Sequence, residues 1–189
     1  MEGTPLADAA EATSLRRLYS HLLPDLPFVI IPPMFPQRKK APRLASFSYT
    51  GHYAYFITCT THGRKTYFTS AENISLVLPY LTSTCSAKEF ILYVYCFMPD
   101  HLHFLIAGDN NSVLTDLVKS FKQQSGYHFK RSCGLTLWQK GYYEHVLRRD
   151  EALKDAGLYI LNNPVRAGIV DDFKKYPYCG SEIFDLSEL

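Results

Sequence analysis

Two apolar runs separated by only two residues place the strongest constraint on how this chain folds. The runs FILYVYCFM at 90–98 and HLHFLIAG at 101–108 are rich in β-branched and aromatic residues, which favour strands. Pro99 and Asp100 alone connect them. Because so short a connection joins antiparallel neighbours, the sequence predicts a β-hairpin at residues 90–108.

The remaining elements alternate on either side of this hairpin. Residues 53–61 and 142–148 have the pattern of strands, whereas residues 70–85, 112–131 and 150–163 have helical character. The resulting order is strand, helix, strand, strand, helix, strand, helix. It predicts an α+β fold of the ferredoxin-like, RRM-like split βαβ type, with a four-stranded antiparallel sheet, helices packed on one face and a further helix after the fourth strand.

The first two predicted helices carry local signals. Pro79 lies within the first and is expected to kink it. The second has an apolar stripe at helical spacing, which predicts the side that packs on the sheet. That stripe consists of Val113, Leu114, Leu117, Val118 and Phe121. The other side of this helix carries the basic residues Lys119, Lys122, Lys130 and Arg131.

Residues 1–46 differ in composition from the rest of the chain, because they hold seven of the eleven prolines. They are interpreted as an irregular N-terminal arm, and residues 47–189 as one folded domain. The arm contains a basic cluster at 38–43. This cluster either contacts phosphates or belongs to a solvated linker, and the sequence leaves both interpretations open.

Bulk composition excludes some classes of protein. The formal charge of +2 is too small to indicate a nucleic-acid-binding protein by itself. The five cysteines lack metal-binding spacing, and an odd number cannot pair completely, so a reducing cytoplasm is the expected location. We expect no signal peptide and no membrane contact, since the apolar segment at 26–35 is short and interrupted by prolines.

Two histidines flank Leu102 on the second strand of the hairpin. Because side chains alternate along a strand, Leu102, Phe104 and Ile106 point to one face, while His101 and His103 point to the other. Two adjacent imidazoles form a two-point ligand for a divalent cation. A pair of exposed strand histidines without a role fits the triplet equally well.

The helix after the fourth strand offers a third ligand. Tyr159 and Asn163 are four residues apart, so on a helix they lie on one face, one turn apart. An Asn163 amide oxygen could complete a metal site, with Tyr159 beside it as a potential nucleophile. Taken singly, Tyr159 is equally consistent with a half-buried aromatic residue, and Asn163 with a residue that ends a helix.

Three stretches together resemble a known family. DHLH at 100–103, LWQKGYYEHVLRR at 137–149 and LYILNNPVRAGIV at 158–170 occur in an order and spacing similar to the REP-associated tyrosine transposases, a group of single-tyrosine HUH transposases. The resemblance covers about residues 47–178. It includes Trp138, which could either stack on a base or pack in the core.

The resemblance implies a chemistry for these residues. The metal ligands would be His101, His103 and Asn163, and Tyr159 on its nucleophile helix would attack single-stranded DNA near a hairpin. The expected cofactor is Mg²⁺ or Mn²⁺, with zinc also compatible with two imidazoles. The expected enzyme is a metal-dependent endonuclease and strand transferase that forms a 5'-phosphotyrosine intermediate, works as a monomer or homodimer, and associates with the nucleoid when acting.

Phosphate contacts are expected from basic side chains outside the metal site. The candidates are Lys119, Lys122, Lys130 and Arg131 on the second helix, and Arg148 and Arg149 near the fourth strand. The first four could instead form a solvated helix face.

Two other functions compete with the enzyme. One is a domesticated protein that binds DNA hairpins with little turnover. The other is an RNA-binding sheet of the same topology, which would carry aromatic residues where His101 and His103 lie.

Overall fold

The computed structural model describes residues 53–147 and 153–186. The predicted N-terminal arm at 1–46, its basic cluster and its boundary with the following domain lie outside the described residues. Arg148 and Arg149 lie outside them as well, so their DNA contacts stay a prediction.

An antiparallel sheet of five strands forms the centre of the described domain. The strands are β1 (Ala54–Thr60), β2 (Phe90–Met98), β3 (His101–Gly108), β4 (Tyr143–Leu147) and β5 (Cys179–Gly180), in the spatial order β4-β1-β3-β2-β5. The predicted α+β class and hairpin are confirmed. The predicted count of four strands is one too low, because a two-residue strand is too short to show alternation and forms only by pairing with the free edge of β2.

The helices of the described residues lie between these strands along the chain. They are α1 (Ala71–Ser75), α2 (Leu78–Ala87), α3 (Leu114–Cys133), α4 (Leu153–Leu161) and α5 (Asn163–Arg166), with single 3-10 turns at His62–Arg64 and Phe173–Lys175. Within 53–147 and 153–186, no helix is long and apolar enough to cross a membrane.

The first predicted helix is in fact two helices, α1 and α2. Pro79 lies at the second position of α2, where its missing N–H costs no helical hydrogen bond. In one continuous helix the proline ring would clash with the carbonyl of Ser75, four residues earlier. The chain therefore ends α1 at Ser75 and restarts, instead of kinking a single helix.

Helices cover both faces of the sheet. On one face α2 and α3 pack on Leu102, Phe104 and Ile106 of β3, and α3 buries its predicted apolar stripe from Leu114 to Phe121. On the other face α4 packs through its buried apolar residues Ile160 and Leu161. That second face also carries the two histidines. The RNA-binding alternative needs this face to be open, and α4 lies across it.

A bulge in β2 decides which of its side chains meet which helices. The register pairs Leu92 with Ile106 but Val94 with Leu105, so Tyr93 is the extra residue. One inserted residue reverses the alternation beyond it. As a result Leu92 packs with α2 and α3, whereas Val94 packs towards α4.

Trp138 belongs to the core beneath α3. Its side chain is 8% exposed, and its indole N–H donates to the Ser125 hydroxyl at 2.9 Å. That hydroxyl donates in turn to the Phe121 carbonyl at 2.6 Å. The backbone N–H of Gln139 donates to the carbonyl of Thr60 at 2.9 Å. Of the two roles open to Trp138, the structure supports packing in the core.

Replacing Trp138 by phenylalanine should destabilise the domain by about 1–3 kcal/mol, because the change opens a cavity and leaves the buried Ser125 hydroxyl without its donor. Urea unfolding followed by circular dichroism measures this loss. Tyr127→Phe, at a ring that is 56% exposed, is the matched control and should change stability by less than about 0.5 kcal/mol. Equal stability of the two variants would contradict a structural role for Trp138.

Candidate active site

His101 and His103 present one ring nitrogen each to a common point on the α4 face of the sheet. Their Nε2 atoms are 3.0 Å apart, and their rings lie edge to face with centroids 4.5 Å apart. Alternate positions on β3 produce this convergence, since the intervening Leu102 is buried on the opposite face. The histidine pair predicted from the sequence is therefore present as a pair of converging nitrogen donors.

The other ring nitrogen of each histidine already has a partner. His101 Nδ1 lies 2.5 Å from the Asp100 carboxylate, and His103 Nδ1 lies 2.8 Å from the Thr58 hydroxyl. Such contacts fix the ring and leave Nε2 for a metal, which is the usual arrangement around metal-binding histidines. The donor set thus fits a divalent cation.

Sequence reasoning missed both of these partners. Asp100 had a visible signal, because it directly precedes His101 in the hairpin turn. Thr58 had none, because it is 45 residues from His103 in sequence and becomes its neighbour only through the β1–β3 register.

The Asp100 carboxylate connects His101 to the Arg64 guanidinium. It accepts a hydrogen bond from Arg64 Nη1 at 3.1 Å in addition to its contact with His101. Partial burial acts to raise the pKa of Asp100, but the hydrogen bonds and charges of His101 and Arg64 together outweigh burial and hold that pKa below its usual range. Asp100 is therefore ionised at neutral pH and can orient the His101 ring.

His103 is the more buried of the two histidines. Burial lowers the pKa of its imidazole well below the usual value, and the nearby charges of His101 and Arg166 lower it further. A neutral imidazole is the form that binds metals. The environment of His103 therefore favours the form required of a ligand.

Tyr159 reaches this site through a chain of rings. Its half-buried ring on α4 meets Phe56 edge to face at a centroid distance of 6.0 Å, and Phe56 lies 5.3 Å from the His103 ring. On the neighbouring strand, burial and the proximity of Tyr159 raise the pKa of Tyr143. The predicted nucleophile and the histidine pair thus share one face of the sheet.

Asn163 follows a break in the helix. The sequence predicted that Tyr159 and Asn163 share one continuous helix, but α4 ends at Leu161 and α5 begins at Asn163, directly before Pro164. The Asn163 amide nitrogen donates to the carbonyls of Tyr159, at 2.9 Å, and Ile160, at 3.1 Å. Its amide oxygen is the atom that could bind a cation.

The role of Asn163 as a third metal ligand stays a prediction. Among residues 53–147 and 153–186, no three side chains of histidine, cysteine, aspartate or glutamate come together as metal ligands. No hydrogen bond within these ranges joins the Asn163 side chain to either histidine.

The basic residues predicted on α3 lie away from the histidines. Lys119, Lys130 and Arg131 are exposed, and α3 covers the sheet face opposite to the histidine pair. Arg131 Nη1 lies 3.3 Å from the Tyr127 hydroxyl. Their DNA contacts stay a prediction, and any such contact would be remote from the histidine pair.

Lys122 has a structural role that the sequence did not indicate. Its ammonium donates to the backbone carbonyl of Gln139 at 2.8 Å and to that of Gly141. Partial burial lowers the pKa of Lys122, and Cys59 acts in the opposite sense. Lys122 thereby ties α3 to the loop before β4, and its predicted DNA contact is not tested by these bonds.

The lowered pKa of His103 predicts a pH dependence of stability in metal-free protein. Below the unfolded pKa, about 6.5, the unfolded chain binds a proton that the folded chain does not, so stability falls as the pH falls. Well above pH 6.5 neither state binds this proton, so the full stability is present there. One such proton lowers the free energy of unfolding by up to about 1.4 kcal/mol per pH unit.

Urea unfolding in EDTA between pH 7.5 and 5 tests this expectation. His103→Gln should lose less stability than wild type over this interval. His62→Gln, at an exposed position, controls for the removal of an imidazole. Parallel curves for wild type and His103→Gln would show that His103 is not the group responsible.

Known proteins of similar sequence and fold place these observations in a family. A sequence model of the family described as "Transposase IS200 like" matches residues 49–163. A Haemophilus influenzae protein named among the REP-associated tyrosine transposases is 28% identical over 137 residues, which cover 66% of this chain and 77% of that protein. The REP-associated tyrosine transposase of Escherichia coli is 27% identical over 95 residues, which cover 48% of this chain and 54% of that protein.

A solved structure shares the fold. The structure of a REP-associated tyrosine transposase bound to a REP hairpin matches with a TM-score of 0.61 and 19% identity, and the match covers 75% of this chain and 82% of that chain. The resemblance predicted from the three sequence stretches is confirmed by these matches. Since the family model spans more than half of the chain, including the histidine pair and the helix tyrosine, this protein belongs to the IS200-like transposase family.

Proposed function

We propose that this transposase is a metal-dependent tyrosine endonuclease and strand transferase that cuts and rejoins single-stranded DNA beside hairpins. The observation that carries the proposal is the geometry of three side chains. His101 and His103 turn their Nε2 atoms to a common point. Tyr159 lies on the same face of the sheet, where the Phe56 ring contacts both Tyr159 and His103. Two nitrogen donors and a phenol nucleophile are the groups that a metal-assisted phosphoryl transfer requires.

The covalent step belongs to Tyr159. Its hydroxyl oxygen attacks the scissile phosphorus, a Tyr159 O–P bond forms, and the bond from phosphorus to the 3' oxygen breaks. The phenol proton leaves and a proton ends on the released 3'-hydroxyl. The products are a 5'-phosphotyrosine and a free 3' end, and attack by a second 3'-hydroxyl runs the same exchange in reverse to join strands.

Cation binding falls to the histidine pair. His101 and His103 would hold the ion through Nε2, with Asn163 as the third ligand through its amide oxygen. A bound Mg²⁺ or Mn²⁺ supplies neutralisation of charge at a nonbridging phosphate oxygen. Asp100 and Thr58 keep the two imidazoles oriented for this binding through their contacts with Nδ1.

A DNA hairpin is the substrate best supported by similarity. The relatives from Haemophilus influenzae and Escherichia coli are named REP-associated, and the solved structure of similar fold holds a REP hairpin. We therefore propose single-stranded DNA with a hairpin as the partner of this chain, bound by a monomer or a homodimer.

Tyr159→Phe should abolish covalent attachment to DNA, because phenylalanine lacks the attacking oxygen. Labelled hairpin oligonucleotides from the DNA flanking the gene, incubated with protein and Mn²⁺, should give an adduct on a denaturing gel with wild type only. Tyr143→Phe, a neighbouring tyrosine on the same face, is the matched control and should still form the adduct. Tight binding without any adduct in Mg²⁺ or Mn²⁺ would favour the alternative of a domesticated hairpin-binding protein.

Thr58→Val should weaken Mn²⁺ binding about tenfold, because loss of the hydroxyl frees the His103 ring to turn. Isothermal titration of the DNA-free protein with Mn²⁺ measures the affinity. Thr60→Val is the matched control on the same strand, since Thr60 pairs with His101 in the register but, among the described residues, its hydroxyl makes no hydrogen bond to the His101 ring. Equal affinity of the two variants would contradict an orienting role for Thr58.

A further inference from the structure

Arg166 stacks on the ring of the proposed nucleophile. Its guanidinium carbon lies 4.4 Å from the centroid of the Tyr159 ring, within the range of a cation–π contact. The residue is exposed, and no carboxylate in 53–147 or 153–186 pairs with it. One face of the guanidinium is therefore covered by Tyr159, and within the described residues its N–H groups make no hydrogen bond or ion pair.

The chain fixes Arg166 relative to Tyr159. The backbone N–H of Arg166 donates to the carbonyl of Asn162 at 2.9 Å, and the N–H of Asn162 donates to the carbonyl of Leu158 at 2.9 Å. The Asn163 amide adds a third connection through the Tyr159 carbonyl. These bonds join α5 to α4 across the break before Pro164. The backbone of Arg166 is therefore held in a fixed position relative to Tyr159, and this favours the stacked contact.

The ring that Arg166 covers is connected to the histidine pair by Phe56. The Phe56 ring lies 6.0 Å from the Tyr159 ring and 5.3 Å from the His103 ring, measured between centroids. A phosphate attacked by Tyr159 while a cation is held on His101 and His103 must lie beside both. Arg166 lies over the Tyr159 ring and carries a permanent positive charge.

We propose that Arg166 is a catalytic residue that donates N–H groups to nonbridging oxygens of the scissile phosphate while its planar face holds the Tyr159 ring. The inference rests on the proposed covalent function and names a further residue for that reaction. One side chain would then align the nucleophile and the electrophile. Arginine suits this task because its donors form a fixed planar fork, which a lysine ammonium cannot reproduce.

The role of Arg166 in the step is electrostatic. As the Tyr159 oxygen bonds to phosphorus and the bond to the 3' oxygen breaks, negative charge on the nonbridging oxygens is stabilised by donors already in position. Arg166 neither gives nor takes a proton, and it is unchanged at the end of the exchange.

The test compares Arg166→Gln and Arg166→Lys with wild type and with Lys154→Gln, which removes an exposed cation from α4. Single-turnover adduct formation with the hairpin oligonucleotide that wild type cleaves gives the rate, and fluorescence anisotropy gives the affinity. Arg166→Gln should slow adduct formation about 100-fold, with the affinity for the oligonucleotide changed less than about threefold. Arg166→Lys should lie between, and Lys154→Gln should match wild type.

A methylphosphonate at the scissile position provides a readout that a structural defect would not reproduce. Replacing a nonbridging oxygen by methyl removes the acceptor that Arg166 would bind. For at least one diastereomer, the loss of rate caused by this substitution should be severalfold smaller in Arg166→Gln than in wild type, because the contact is already absent. Melting temperatures of all four proteins check that each is folded.

The outcomes separate this inference from the proposed function. No adduct from wild type overturns both. An adduct from wild type together with a wild-type rate in Arg166→Gln overturns only the role of Arg166. The role of Arg166 is also overturned if, for both diastereomers, the methylphosphonate slows Arg166→Gln as much as it slows wild type. It is overturned as well if Arg166→Gln loses only affinity for the oligonucleotide.

Discussion

The two-residue turn at Pro99 and Asp100 is the constraint on which the rest of this site depends. It places β2 and β3 side by side at the centre of the sheet and starts β3 at His101. Its backbone is tied to the end of β1, because the Asp100 carbonyl accepts from both the N–H and the hydroxyl of Thr61. A turn fixed in this way holds the Asp100 carboxylate beside His101, so one short connection sets both the register and the orientation of a ligand.

The sheet provides a rigid base for the histidines, and helix packing on the opposite face secures that base. Trp138 and the loop before β4 are held against α3 by the Ser125 hydroxyl and the Lys122 ammonium. That loop continues into β4, which pairs with β1 and so supports the strand that carries Thr58. Residues remote from the chemistry thus fix the position of a hydroxyl that contacts His103.

Close packing of α4 on the sheet positions Tyr159 and, after it, Arg166. Gly157 allows close contact between α4 and the sheet, since a Cβ at this position would lie 3.2 Å from Val94 Cγ2. A closely seated helix brings the Tyr159 ring against Phe56, and the break before Pro164 then directs Arg166 back over that ring. A phosphate-transfer site needs such fixed positions, because most of its catalysis comes from alignment and charge.

The sequence by itself determined the hairpin, the α+β class, the common face of His101 and His103, and the family resemblance, because these follow from alternation, helical spacing and motif order within short stretches. Only the tertiary structure decided the contact between Thr58 and His103, the bulge at Tyr93, the fifth strand and the bonds of Lys122. The Thr58 contact and the fifth strand depend on the register between strands far apart in sequence, and the bulge is a shift of register within the hairpin. Local periodicity does not specify that register, which is set when the sheet and its two helix layers pack together.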